Sequence, residues 1–109
     1  MSGAWTAVGA AGDVPLLEGR SIRLGARRIA VFRLEDGWAA IDHACPHQGG
    51  PLADGLVGRA CVTCPLHGWR FDLRTGERIG GGASVTAYAV RERDGVLEVL
   101  LPAAELLAA

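Results

Sequence analysis

Lysine is absent from these 109 residues: all 11 basic side chains are arginine, set against 12 acidic ones for a formal net charge of −1. A charge so near neutrality argues against a nucleic-acid footprint. The all-arginine bias, in a chain rich in Ala, Gly, Leu and Val, reads as genome composition and says little about function. Cysteine is scarce too. Three residues cannot all pair, and two of them belong to a motif described below, so no disulfide framework and no sign of an oxidising compartment are expected. The N-terminal MSGAWTAVGAAGDVPLL lacks the charged start and apolar run of a secretory leader. No stretch approaches the roughly 18 apolar residues of a membrane span. The expectation is a soluble, cytoplasmic chain with no nucleic-acid and no membrane partner. A nucleophile–base pair, a phosphate loop and a nicotinamide fingerprint are also missing, so no catalytic site of its own is expected.

What is present is concentrated between Cys45 and Asp72, CPHQGGPLADGLVGRACVTCPLHGWRFD. It contains two short clips, Cys45-Pro46-His47 and Cys64-Pro65-Leu66-His67, with 16 residues between His47 and Cys64. Each clip offers one thiolate and one imidazole, which together make a metal-site inventory of two sulfur and two nitrogen donors. The intervening segment supplies glycines for turns and Ala60-Cys61-Val62-Thr63 as a short strand, enough to bring the second clip back beside the first. Gly49, Gly50 and Gly68 follow the histidines, where backbone N–H groups could approach inorganic sulfide. Pro46 and Pro65 fix φ directly after each cysteine and stiffen the loops.

A zinc site is the competing reading, since two cysteines and two histidines suit zinc and Cys61 makes a C-x-x-C with Cys64. Zinc fingers, however, usually pair Cys with Cys and His with His, whereas each clip here mixes them. A thioredoxin-type reading of Cys61–Cys64 would require the motif to open a helix in a βαβ unit, which Pro65, Gly68 and the β-prone surroundings oppose. Cys61 reads more simply as a small buried strand residue, and His43 as an ordinary loop histidine.

The clips resemble the Rieske family, whose pattern is C-x-H followed after about 15 to 17 residues by C-x-x-H. The resemblance implies one [2Fe–2S] cluster, with Cys45 and Cys64 on one iron and His47 and His67 on the other. It also implies a small cluster-binding subdomain, about residues 42–72, set on the end of a β scaffold, with His47 and His67 as the electron exit. Pro46, Leu52, Pro65 and Leu66 would then form either a docking rim or ordinary loop packing. High-potential members join two additional loop cysteines as a disulfide; the corresponding positions here are Gly50 and Leu66. They also use a serine and a tyrosine hydroxyl toward cluster sulfur, and Trp69 and Phe71 stand there instead. Fewer hydrogen bonds to sulfur imply a potential near the bottom of the Rieske range, about −150 mV.

Within the family the chain looks most like the small subunit of assimilatory NAD(P)H-dependent nitrite reductases. Its implied partner is a siroheme- and flavin-containing large subunit. The alternative is the ferredoxin of a ring-hydroxylating dioxygenase system, which works between a reductase and an oxygenase component. A structural, zinc-bound subunit is the non-redox alternative. One departure is Gly80-Gly81-Gly82, where many relatives carry a proline-bearing loop; a looser cover over the cluster is expected.

The rest of the chain reads as short strands. They are Ala4–Val8 with Trp5 as a core or sheet-edge anchor, Arg20–Leu24, Arg28–Leu34, Trp38–Ile41, Trp69–Asp72, and a last hairpin of Val85–Arg91 and Val96–Leu101. Turns fall at Gly25-Ala26, Glu35-Asp36-Gly37, Arg74–Glu77 and Asp94-Gly95. No repeat and no second domain are visible. The expected class is all-β: a single domain over 1–109, an antiparallel sandwich or barrel with a short 102–109 tail that could make a helical turn.

Overall fold

The computed structural model describes residues 4–25, 27–46 and 48–101. Ten strands carry the described fold: β1 (Ala4–Ala10), β2 (Gly19–Leu24), β3 (Arg27–Leu34), β4 (Gly37–Asp42), β5 (Leu56–Gly58), β6 (Cys61–Thr63), β7 (Arg70–Asp72), β8 (Ala87–Tyr88), β9 (Val90–Arg93) and β10 (Val96–Leu101). They form three antiparallel sheets in the orders β1-β10-β9, β2-β3-β4-β8 and β5-β6-β7. The small β5-β6-β7 sheet occupies the sequence between β4 and β8. Among the described residues the only helical pieces are two single 3-10 turns, Ala11–Asp13 and Leu52–Asp54.

The middle sheet is buried on both faces, which explains why β3 reads as a continuous apolar run. Ile29 and Val31 point into one core with Leu97, Val99 and Leu101 of β10. Ala30, Phe32 and Leu34 point the opposite way, as the period of two requires, into a second core. That second core contains Leu52, Val62, Phe71, Leu73 and both Cys45 and Cys64. The cysteine loops are therefore seated on the middle sheet, and Phe32, fully buried, is the largest side chain the sheet sends toward them.

Most expected strands and turns are present, with instructive exceptions. Asp94 and Gly95 have φ of 53° and 81° and close the β9–β10 hairpin. The expected strand Val85–Arg91 is divided: Ala87–Tyr88 pairs with β4 and Val90–Arg93 with β10. The chain changes sheets at Ala89, whose carbonyl accepts from Leu100 N at 2.9 Å. The expected strand Ala60–Thr63 begins at Cys61, because Ala60 belongs with Arg59 to a two-residue turn, φ 60° and 49°, that joins β5 to β6. Neither residue type advertises such a turn. Trp5 is 36% exposed on the edge strand β1, with the Arg91 guanidinium 4.0 Å above its ring, so it anchors an edge and not the core. Ala26 and the 102–109 tail lie outside the described residues.

Candidate metal centre

The two clips fold into the same loop. In the first, Cys45 N donates to Gly50 O at 2.9 Å and Gly49 N donates to Cys45 O at 2.8 Å. In the second, Cys64 N donates to Trp69 O at 2.7 Å and Gly68 N donates to Cys64 O at 3.0 Å. Gly49 and Gly68 have nearly equal positive φ, 70° and 76°, which side chains rarely adopt. Each cysteine is thus held at both its N–H and its C=O by residues four and five positions on. The Gly49 and Gly68 N–H groups thus close the loops, each on a cysteine carbonyl.

The loops meet across Gly50. A Cβ at that position would lie 2.5 Å from Cys64 Sγ and 3.2 Å from Leu66 Cδ1, so only glycine lets the first loop sit against the second thiol. Gly50 and Leu66 therefore face one another, as the positions of the family's disulfide should, but without sulfur. Cys45 and Cys64 are each 2% exposed. His67 is exposed, and its Nε2 lies 3.1 Å from Gln48 Oε1. The imidazole supplies a nitrogen donor suited to a metal. His47, the fourth expected ligand, lies outside the described residues. Among the described residues no three ligating side chains converge on a single-ion site. Two buried soft thiols beside an exposed imidazole suit a two-iron group, whose donors are divided between its ends.

Sequence reasoning missed a hydrogen-bonded cluster at the end of β4, three residues before Cys45. Asp42, the last residue of β4, accepts from the Tyr88 hydroxyl at 2.6 Å, from Arg27 at 3.0 Å and from Thr86 N at 3.1 Å. Arg27 also donates to the Tyr88 oxygen. Burial first, then the bond to the Asp42 carboxylate, hold the Tyr88 phenol above its ordinary range, with Arg27 opposing. The three partners are remote in sequence and form no motif.

One residue on, His43 bridges strand and loop. Its N–H donates to Arg28 O at 3.1 Å, its carbonyl accepts from Leu52 N at 2.9 Å, and its Nδ1 accepts from Ala53 N at 3.3 Å. Burial, then Arg28, lowers its pKa, with Asp54 acting against them. It is more than an ordinary loop histidine. Cys61 is half-buried opposite Asp72, less enclosed than expected.

Of the four apolar residues expected at the rim, Pro46, Pro65 and Leu66 are exposed, whereas Leu52 is fully buried in the core. Its place in the 3-10 turn Leu52–Asp54 directs it inward against β3, so it belongs to packing and not to a rim.

Residues 4–91 match the family described as Rieske [2Fe-2S] domain. The chain belongs to the Rieske [2Fe–2S] family. Its cofactor is one Rieske-type cluster, and the chain is an electron-transfer domain. It is 35% identical over 97 residues to the anthranilate 1,2-dioxygenase ferredoxin subunit of Burkholderia cepacia, covering 87% of this chain and 90% of that one. It is 36% identical over 101 residues to a cholesterol 7-desaturase of Hemicentrotus pulcherrimus, but spans only 22% of that protein's length. Among solved structures, a candidate NADH-dependent nitrite reductase small subunit from Mycobacterium tuberculosis superposes with a TM-score of 0.83 at 27% identity. The superposition covers 93% of this chain and 96% of that one. Among the described residues no helix is long and apolar enough to cross a membrane.

Proposed function

We propose that this Rieske chain is a low-potential, single-electron carrier in which Cys45 and Cys64 hold one iron and His47 and His67 the other, within a subdomain of about residues 42–72. The observation that carries the reading is the matched pair of cysteine loops, each closed by hydrogen bonds at both backbone groups and joined at the glycine contact between Gly50 and Cys64 Sγ. When bound, the cluster supplies a site that gains and loses one electron. The chain's own residues keep water from the thiolate end, which is buried, and bring the imidazole of His67 to the surface. Exposed Pro46, Pro65 and Leu66 give that surface an apolar edge suited to transient docking.

For the partner we favour the large subunit of an assimilatory nitrite reductase with siroheme and flavin. Support comes from the superposition over nearly the whole length of a small subunit of that kind and from the Gly49-Gly50-Pro51-Leu52 run. The ferredoxin role in a ring-hydroxylating dioxygenase system is the second reading, favoured by the 35% identity over 90% of the anthranilate dioxygenase ferredoxin. Both place the protein in the cytoplasm, where thiolate ligands stay reduced.

The test is anaerobic purification followed by visible absorption and electron spin resonance after dithionite. A rhombic reduced signal with a low average g is expected in the wild type, and its loss or severe weakening in Cys64→Ser and His67→Ala. A colourless, zinc-containing protein would overturn the electron-transfer reading. Mixing the reduced protein with each candidate partner and following reoxidation then separates the two readings.

A further inference from the structure

Arg78 lies against the second cysteine loop in a setting that packing alone does not explain. It faces Phe71 across an isolated antiparallel bridge, and Ile79 N donates to Arg70 O at 2.9 Å, which fixes its backbone beside β7. Its guanidinium carbon sits 3.4 Å from the centre of the Trp69 ring. Trp69 is the residue whose carbonyl anchors Cys64 N, and its ring packs on the core that contains both cysteines. From the other side the glycine turn closes over the arginine. Gly81 N donates to Arg78 O at 3.1 Å, and a Cβ on Gly82, φ 105°, would come within 2.9 Å of an Arg78 terminal nitrogen. Gly80-Gly81-Gly82, expected as a looser cover over the cluster, closes over Arg78: these glycines let the backbone press onto a cation.

Apart from the face of the Trp69 ring, the cation is uncompensated among the described residues. Arg78 Nε is buried with no hydrogen-bond partner, and among the described residues no carboxylate pairs with it. A guanidinium keeps its proton, so the charge is permanent. Taking such a charge partly out of water is unfavourable unless negative charge lies nearby. The adjacent loop carries Cys64, and the charge there grows more negative by one when an electron arrives.

We infer that Arg78, clamped between Trp69 and the glycine turn, is a positioning residue for charge that raises the reduction potential of the cluster by favouring its reduced form. The inference rests on the cluster being held as proposed above. One electron enters the cluster from the reductant and no proton moves to or from Arg78. The arginine offsets part of what is lost where Trp69 and Phe71 replace hydroxyl donors, through space instead of through a hydrogen bond.

The experiment is a potentiometric titration, read by electron spin resonance, of the cluster-loaded wild type, R78K, R78Q and R78M, with thermal unfolding of each. Nε has no partner to orphan, so all three variants should fold; R78M provides a second neutral variant should R78Q load poorly. The neutral variants should be harder to reduce by up to about tenfold in equilibrium constant, equivalent to about 59 mV for one electron. R78K, which keeps a cation, should stay closer to the wild type whatever its melting temperature. Wild-type potentials in R78Q and R78M, or equal shifts in R78K and R78Q, would overturn the inference and leave Arg78 a packing residue. A wild type without the reduced signal would instead sink the cluster assignment itself.

Discussion

At the scale of single residues, the site depends on atoms that are missing as much as on those present. Gly50 has no Cβ, and the space that atom would need is taken by Cys64 Sγ at 2.5 Å. Gly50→Ala should therefore push the two cysteine loops apart. A loss of about 1–3 kcal/mol is expected from overpacking, together with lower iron content per chain, measured by denaturant unfolding and iron assay. Tyr88 offers a check of the scaffold. Its folded pKa is raised, so the native state holds the phenolic proton more tightly than the unfolded chain does. The stability this gives is complete below an unfolded value of about 10 and falls as pH rises beyond it. Tyr88→Phe should cost about 1 kcal/mol at neutral pH through the lost bond to Asp42. It should also flatten the decline in stability above about pH 10. Urea titrations at several pH values would show both effects.

At the scale of elements, the least obvious feature is the β5–β6 hairpin. Its turn puts Arg59 and Ala60 at φ of 49° and 60°, a conformation that Asn-Gly adopts readily and these residues do not. Ala60→Gly should therefore stabilise the protein by about 0.5–1 kcal/mol, unless added freedom in the unfolded chain cancels the relief. Thermal unfolding of the variant reads the balance, and a lower melting temperature would mean that Ala60's partial packing on the core outweighs the strain. Only the Ala60–Thr63 arm of the hairpin is legible in the sequence; β5 and the turn are not, because a three-residue strand is too short to show alternation and the turn lacks the usual residues. The division at Ala89 was equally hidden, because a strand that changes sheets keeps one β-prone pattern throughout.

At the scale of the molecule, two cores lie on either face of the middle sheet, and only one contains the cysteines. Removing the cluster should loosen the two faces unequally. Hydrogen exchange on apo and loaded protein should show lost protection at β5, β6, β7 and both cysteine loops, while β1, β10 and β9 stay protected by the core around Leu97 and Val99. Uniform loss across all three sheets would mean that the cores are cooperative and the cluster is part of folding itself. The same layering explains Leu52. Its neighbours in the sequence look like an exposed loop, yet the middle sheet needs an apolar cover beside Phe32 and draws that side chain inward.

The amino-acid order alone determined the two Cys/His clips proposed as donors and the all-β class, because both are local: Cys and His at two or three residues' separation, apolar residues alternating along short runs, Asp-Gly between them. It also carried the family, through two clips that mix thiol and imidazole. Only the tertiary structure decided that Gly50 meets Cys64, that Asp42, Arg27 and Tyr88 form one hydrogen-bonded cluster at the end of β4, and that Arg78 is enclosed between Trp69 and a turn of glycines. Apart from the glycine turn, which begins two residues after Arg78, those contacts join residues from 9 to 61 positions apart. No local pattern encodes them, since each is fixed by how the sheets stack and by which face each strand turns to the core.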